Sequence, residues 1–78
     1  MLVTDMKSLG GAIRGRREQL GLTMAQLAVS SRTSIRLISE LERGKRAGVS
    51  FRTLLKVLTL LGWDIELKPR GVSGGASV

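Results

Sequence analysis

Between Thr23 and Gly44 the chain reads TMAQLAVSSRTSIRLISELERG, two short helical patterns joined by a tight polar turn. Thr23 is suited to cap the first pattern, because its hydroxyl can accept from the backbone N–H three residues on. Gln26 stands where its side chain returns that bond, and Leu22 and Leu27 flank the cap as the apolar pair that accompanies such starts. Leu27 and Ala28 then face inward, and alanine is small enough for two helices to cross closely. The run SSRTS makes the turn and Ser34 caps the second pattern. In that pattern Ile38 and Leu41 point inward and Leu37 is half-buried. Arg43-Gly44 ends it with a cation in the last turn and glycine just after. Two capped helices this close in sequence restrict the chain to a small helical domain that offers the polar face of the second helix to solvent.

The flanking segments complete such a domain. A first helix is expected from near Met6 or Lys7 to about Leu20, with Leu9, Ile13, Arg17 and Leu20 at helical spacing. Thr4 or Asp5 caps its start and Gly21 stops it. Gly10, Gly11 and Gly15 each cost about 1 kcal/mol relative to alanine inside a helix. Either the ordered helix begins later, or these glycines permit a close helix contact. Residues 45–49 form a loop, and Ser50 caps a fourth helix, Phe51 to Leu61. Phe51, Leu54, Leu55, Leu58 and Leu61 make its apolar stripe, and Gly62 closes it.

After Gly62 the period changes. Trp63, Ile65 and Leu67 alternate with Asp64, Glu66 and Lys68, and Pro69 ends the run, which reads as a short strand over 63–68. A lone strand leaves its backbone groups unpaired. The expectation is pairing with the same strand of a second subunit about a twofold axis, with Trp63, Ile65 and Leu67 in the interface. A frayed extended tail is the alternative. Residues 1–5 are expected to be a flexible lead-in, residues 6–69 the folded domain, and residues 70–78, rich in Gly and Ser, a disordered tail.

Composition narrows the function classes. With 78 residues the chain is one domain at most, and it contains no cysteine and no histidine. Disulfides, thiolate metal sites and the commonest general base are therefore absent, and no cofactor, metal or small-molecule substrate is expected. The amino terminus does not read as a secretory signal, and no apolar run approaches bilayer-spanning length. A cytoplasmic protein working at the nucleoid is the expectation. The net charge is +7, and eight of the thirteen Lys and Arg residues fall between Arg14 and Arg46. Only Glu18, Glu40 and Glu42 oppose them there. Such a cluster attracts a polyanion. The cations alternate with core-forming residues and form no single cationic face, which disfavours a membrane-surface role.

Residues Leu9 to Leu67 resemble the Xre/Cro-type helix-turn-helix family, and within it the antitoxins of the HipB type. The resemblance is carried by Gly21-Leu22-Thr23, Leu27-Ala28 and the run Ile38-Ser39-Glu40-Leu41-Glu42-Arg43-Gly44-Lys45. The HipB-like part is Leu54 to Leu58 followed by Leu61-Gly62-Trp63-Asp64-Ile65-Glu66-Leu67. It implies a mainly α, lambda-repressor-like domain of four to five helices, with one short C-terminal strand pairing across a dimer. One departure lies in the turn, where the family usually has glycine and this chain has Arg32. A non-glycine residue there must accept an uncommon backbone conformation or reshape the turn.

The resemblance also implies roles for residues. Ile35, Arg36, Ser39 and Glu40, with Ser34 at the rim, should meet base edges. Arginine can contact guanine through two bonds, glutamate can accept from cytosine, and isoleucine can pack on a thymine methyl. A simple surface pair between Arg36 and Glu40 is the competing reading. Phosphates should be met by Thr23, Met24 and Gln26 at the start of one helix, by Arg32 in the turn, and by Arg43, Lys45 and Arg46 after the next. Arg17 and Glu42 match positions that form a salt bridge in such repressors. The implied function is a homodimeric repressor that binds a palindromic double-stranded operator, its own promoter among them, and neutralises a HipA-like kinase toxin. A stand-alone regulator without a toxin partner is the alternative.

Overall fold

The computed structural model describes residues 2–46 and 48–70 and contains four α-helices among them: α1 Met6–Gln19, α2 Met24–Ser31, α3 Ile35–Glu42 and α4 Phe51–Leu60. Every helix starts at a capping side chain. Asp5 accepts the Ser8 N–H at 2.7 Å, Thr23 that of Gln26 at 3.0 Å, Ser34 that of Leu37 at 3.0 Å and Ser50 that of Thr53 at 3.1 Å. In α1 and α2 the bond is returned, Ser8 Oγ and Gln26 Oε1 each accepting from the backbone N–H of its cap. Each cap satisfies a backbone donor that the helix itself leaves free, a contribution of roughly 1 kcal/mol.

The helices also end alike. A residue with left-handed backbone follows each one: Gly21, Arg32, Gly44 and Gly62. Two backbone bonds then fold back over the last turn, for instance Leu22 N–H to Arg17 O at 3.0 Å and Gly21 N–H to Glu18 O at 3.0 Å. The same pair closes α2, where Thr33 N–H donates to Ala28 O at 2.8 Å and Arg32 N–H to Val29 O at 3.2 Å. This is the Schellman ending, and glycine suits it because it has no Cβ to clash. Arg32, with φ 58° and ψ 45°, is the one non-glycine residue in the left-handed region among the described residues. The unusual residue has therefore accepted the strained conformation, and the turn keeps its shape.

The core is built from Ile13 of α1, Leu27 and Ala28 of α2, Ile38 and Leu41 of α3, and Val57, Leu58 and Leu61 at the end of α4. Each large aliphatic side chain removed from water contributes about 1.5–3 kcal/mol. α1 packs on α3, and α2 packs on both α3 and α4. Gly10 answers the question its sequence position left open. A Cβ there would overlap Leu41 O and lie 2.8 Å from Glu42 O. Gly11 and Gly15 meet nothing within 4 Å, so only the first of the three glycines makes a close contact.

Three expectations change. Phe51 is 62% exposed and Val57 is fully buried. The inward face of α4 centres on Leu54, Val57, Leu58 and Leu61, and Phe51 lies one turn before it. α1 ends at Gln19, within a residue of the expected end, but Leu20, expected on the helix's inward spacing, is 43% exposed. No strand forms over Trp63–Lys68 among the described residues. A strand exists through its ladder bonds, and a single chain supplies no second strand to make them. Instead the Trp63 N–H closes α4 by donating to Leu58 O at 3.0 Å. The tail expected over residues 70–78 lies, from residue 71 on, outside the described residues.

Candidate nucleic-acid interface

α3, like α4, is strongly amphipathic, and more so than α1 and α2. Its inner face carries Ile38 and Leu41, and its outer face begins with Ser34, Ile35 and Arg36, all exposed. Ile35 is 54% exposed despite being apolar. The Arg36 side chain is 85% exposed. One turn further on, Ser39 and Glu40 are half-buried.

Two fixings hold this helix against α1. At one end the backbones of Gly10 and Leu41–Glu42 approach closely, as above. At the same end of α3, Arg17 Nε donates to Glu42 Oε2 at 2.6 Å and Arg17 Nη2 to Glu42 Oε1 at 3.0 Å. A third bond from Arg17 Nη1 reaches Leu22 O at 2.7 Å, beside the start of α2. Both side chains of the pair are buried. The bond to Glu42 outweighs the cost of burial and raises the Arg17 pKa above its already high value. A buried pair is a weak source of net stability. A planar two-bond contact nevertheless fixes orientation as well as distance, so this one sets the relative placement of α1, α2 and α3.

The remaining residues of interest surround α3. Thr23 and Gln26 are exposed at the start of α2, their side chains engaged in the cap, while Met24 is half-buried against the core. Arg32 is exposed in the turn, and its guanidinium makes no hydrogen bond among the described residues. Past α3, Arg43 and Lys45 are exposed, and the Arg43 Nε leans on Ser39 O at 3.4 Å. Arg46 turns back toward the helix and donates from Nη1 to Glu40 Oε1 at 2.7 Å. Glu40 Oε2 meanwhile accepts from Arg36 Nε at 3.2 Å. These cations, Arg46 first and Arg36 second, hold the Glu40 carboxyl below its ordinary value.

Two contacts escaped the sequence reading. The Arg46–Glu40 bond spans six positions across a helix end, where no periodic rule pairs residues. Arg16 Nε donates to Leu61 O at 2.9 Å, tying α1 to the end of α4. A cation beside the last carbonyls of a helix is a recognised arrangement, but nothing in the sequence says which helix end Arg16 meets.

Leu9, Leu54, Leu58 and Trp63 line an apolar groove with residues 64–68 along it. Ile65 is 42% and Leu67 89% exposed there. No group of His, Cys, Asp and Glu among the described residues is arranged to hold a metal ion. No described helix is long and apolar enough to cross a membrane.

Two short helices around a tight turn, the second held rigidly with its polar face outward, define a helix-turn-helix module. A family model described as a helix-turn-helix domain matches residues 8–70. The chain belongs to that family. Two crystal structures of the clp gene regulator ClgR from Corynebacterium glutamicum are similar, each with TM-score 0.68 and 42% identity over 73% of this chain. The match spans 60% of one ClgR chain and 72% of the other. The restriction-modification controller protein C.AhdI from Aeromonas hydrophila is similar with TM-score 0.70 and 30% identity, over 76% of this chain and 88% of its own. No curated protein matches the chain.

Proposed function

We propose that this chain is a sequence-specific double-stranded DNA-binding transcriptional regulator acting as a homodimer. The observation that carries the reading is α3 itself. It is held to the scaffold by Gly10 and the Arg17–Glu42 pair, and it presents Ser34, Ile35 and Arg36 at its exposed end. A helix fixed in this way enters the major groove with its first residues at base edges. Ser34, Ile35, Arg36 and Ser39 reach the bases, and Glu40 shares their face. Phosphates are met by Thr23, Met24 and Gln26, by Arg32, and by Arg43, Lys45 and Arg46. The exposed Ile65 and Leu67, with Trp63, pair with their copies in a second subunit and set the spacing of the two reading helices.

Both structural relatives are named for regulation, one as a gene regulator and one as a controller protein. Within the regulator reading, the role of antitoxin to a HipA-like kinase rests on the resemblance of residues 54–67. A stand-alone regulator has the same DNA-facing residues. Co-purification with a kinase encoded beside its gene separates the two. Work on a promoter places the protein in the cytoplasm.

Footprinting on the DNA upstream of its own gene tests the main reading. The expected result is a palindromic protected region with half-sites about one helical turn, roughly 10 base pairs, apart. Affinity should fall about a thousandfold between roughly 50 and 200 mM salt, as for six or more phosphate contacts. Affinity that is indifferent to salt, or a monomer bound without symmetry, refutes it. Leu67→Asp should leave the fold intact, yield a monomer by light scattering, and weaken operator binding.

A further inference from the structure

We propose that Glu40 is a positioning residue for Arg36 and Arg46, and that it sets sequence preference through Arg36 and reads no base itself. The inference rests on the DNA-binding reading above and concerns how the reading face is organised.

The geometry is specific. One carboxylate oxygen takes Arg46 Nη1 at 2.7 Å and the other takes Arg36 Nε at 3.2 Å. The Glu40 side chain is 22% exposed, against 85% for Arg36 and 39% for Arg46. The anion therefore sits beneath two cations that stand further out. A cytosine amino group approaching Glu40 would meet a carboxylate whose two oxygens each already accept a charge-assisted bond, and it would compete there as a neutral donor, which is the weaker partner. The carboxyl is held ionised by the same two arginines, so it keeps both bonds at neutral pH.

Arg36 loses nothing it needs for base contact. Its bond to Glu40 uses Nε, and a guanidinium has five N–H donors. The outer edge formed by Nη1 and Nη2 remains free, and that edge can make the two parallel bonds that guanine O6 and N7 accept. A free arginine side chain samples many rotamers, and ordering it on binding opposes affinity. The tether restricts the stem of Arg36 before DNA arrives. Arg46 lies in the segment after Gly44, outside α3, and its bond to Glu40 folds that segment back onto the helix. One carboxylate thus aims a base-reading side chain and a phosphate-binding one together.

The test is selection from a randomised double-stranded DNA library by wild type, Glu40→Gln, Glu40→Ala and Arg36→Ala. Circular dichroism and thermal melting of each variant confirm that the fold is retained. The proposal expects both Glu40 variants to relax preference at the guanine lost in Arg36→Ala, by roughly threefold to tenfold, a part of the discrimination a two-bond contact supplies. No cytosine column should change independently. Binding to unrelated DNA should become tighter and more steeply salt-dependent, because a freed Arg46 has its full charge available for phosphate. Loss of preference at a cytosine that Arg36→Ala leaves intact would make Glu40 a base reader and overturn the proposal. An unchanged motif in Glu40→Gln and Glu40→Ala would also overturn it. Failure of wild type to select any motif would instead remove the DNA-reading function beneath it.

Discussion

Replacing Arg32 with glycine should stabilise the fold while weakening its hold on DNA, and the structure supplies its own comparison. Four helices end with the same pair of backbone bonds, and three of them place glycine at the left-handed position while α2 places Arg32. An L-residue with left-handed backbone brings its Cβ toward the following carbonyl, at roughly 1–2 kcal/mol. Glycine removes that strain but enlarges the conformational freedom of the unfolded chain, which takes back about 0.4–1 kcal/mol. The net gain is about 0.5–1 kcal/mol. No folded-state contact offsets it, since the Arg32 guanidinium is exposed and makes no hydrogen bond among the described residues. In a domain of this size such a gain raises Tm by about 3–6 °C. Urea denaturation and thermal melting measure the effect. Arg32→Ala is the decisive control, because alanine removes the same charge and keeps the same Cβ. Glycine should be more stable than alanine, while both should weaken DNA binding equally and reduce the salt slope by about one per subunit. Equal stability of the two variants would refute the strain argument. Unchanged salt slopes would remove Arg32 from the phosphate contacts.

Three further outcomes can be measured on the same preparations. Gly10→Ala should cost at least 1–3 kcal/mol by denaturation, because backbone carbonyls of α3 cannot yield as a side chain would, whereas Gly11→Ala, open to solvent, should gain up to about 1 kcal/mol. Glu42→Gln strands the buried Arg17 charge and should cost about 3–5 kcal/mol, with much of that recovered in the apolar double variant Arg17→Met/Glu42→Leu; a loss no larger in the single variant than in the double would contradict it. Glu40 and Asp5 have carboxyls held below their ordinary values, the first by Arg46 and Arg36 and the second by the Ser8 N–H. The unfolded chain therefore binds protons more readily, so their stabilising effect is complete above the unfolded values and is lost as pH falls through the folded ones. Tm should hold steady toward pH 5 and fall below about 4.5, the ordinary Glu40 value, and Glu40→Gln should lessen the fall.

What the sequence made legible was local. Thr23 with Gln26, Ser34, Ser50 and Asp5 announce helix starts because each cap is completed within three residues. Gly21, Gly44 and Gly62 announce ends for the same reason. Ile38 and Leu41 follow from the period of α3. What stayed hidden depends on a partner distant in sequence. The sequence allowed either a later start to α1 or a close contact at Gly10, Gly11 and Gly15, and only the carbonyls of Leu41 and Glu42 single out Gly10. Phe51 fits the apolar stripe of α4, yet it stands exposed while Leu54, Val57 and Leu58 pack inward. Glu40 paired with Arg36 is readable from spacing, but its second partner, Arg46, comes from beyond the helix end. The alternation over 63–68 suggested a strand that one chain cannot complete.

Contacts from distant residues explain how a helix of eight residues can be held rigidly. Alone, a helix of this length is marginal in water. Here Ile38 and Leu41 hold it from inside, Gly10 sets its distance from α1, and the two bonds between Arg17 and Glu42 set its orientation. None of these contacts uses the outer face, so residues there can change without altering how the helix is presented. Glu40 is the exception, because it joins that face to the following segment through Arg46. Substitutions at Ile35 should therefore alter DNA preference with little effect on stability, whereas changes at Glu40 should alter preference together with the placement of both neighbouring arginines. A selection series at Ile35 that shifted Tm as strongly as Glu42→Gln would show that the outer face is part of what holds α3 in place.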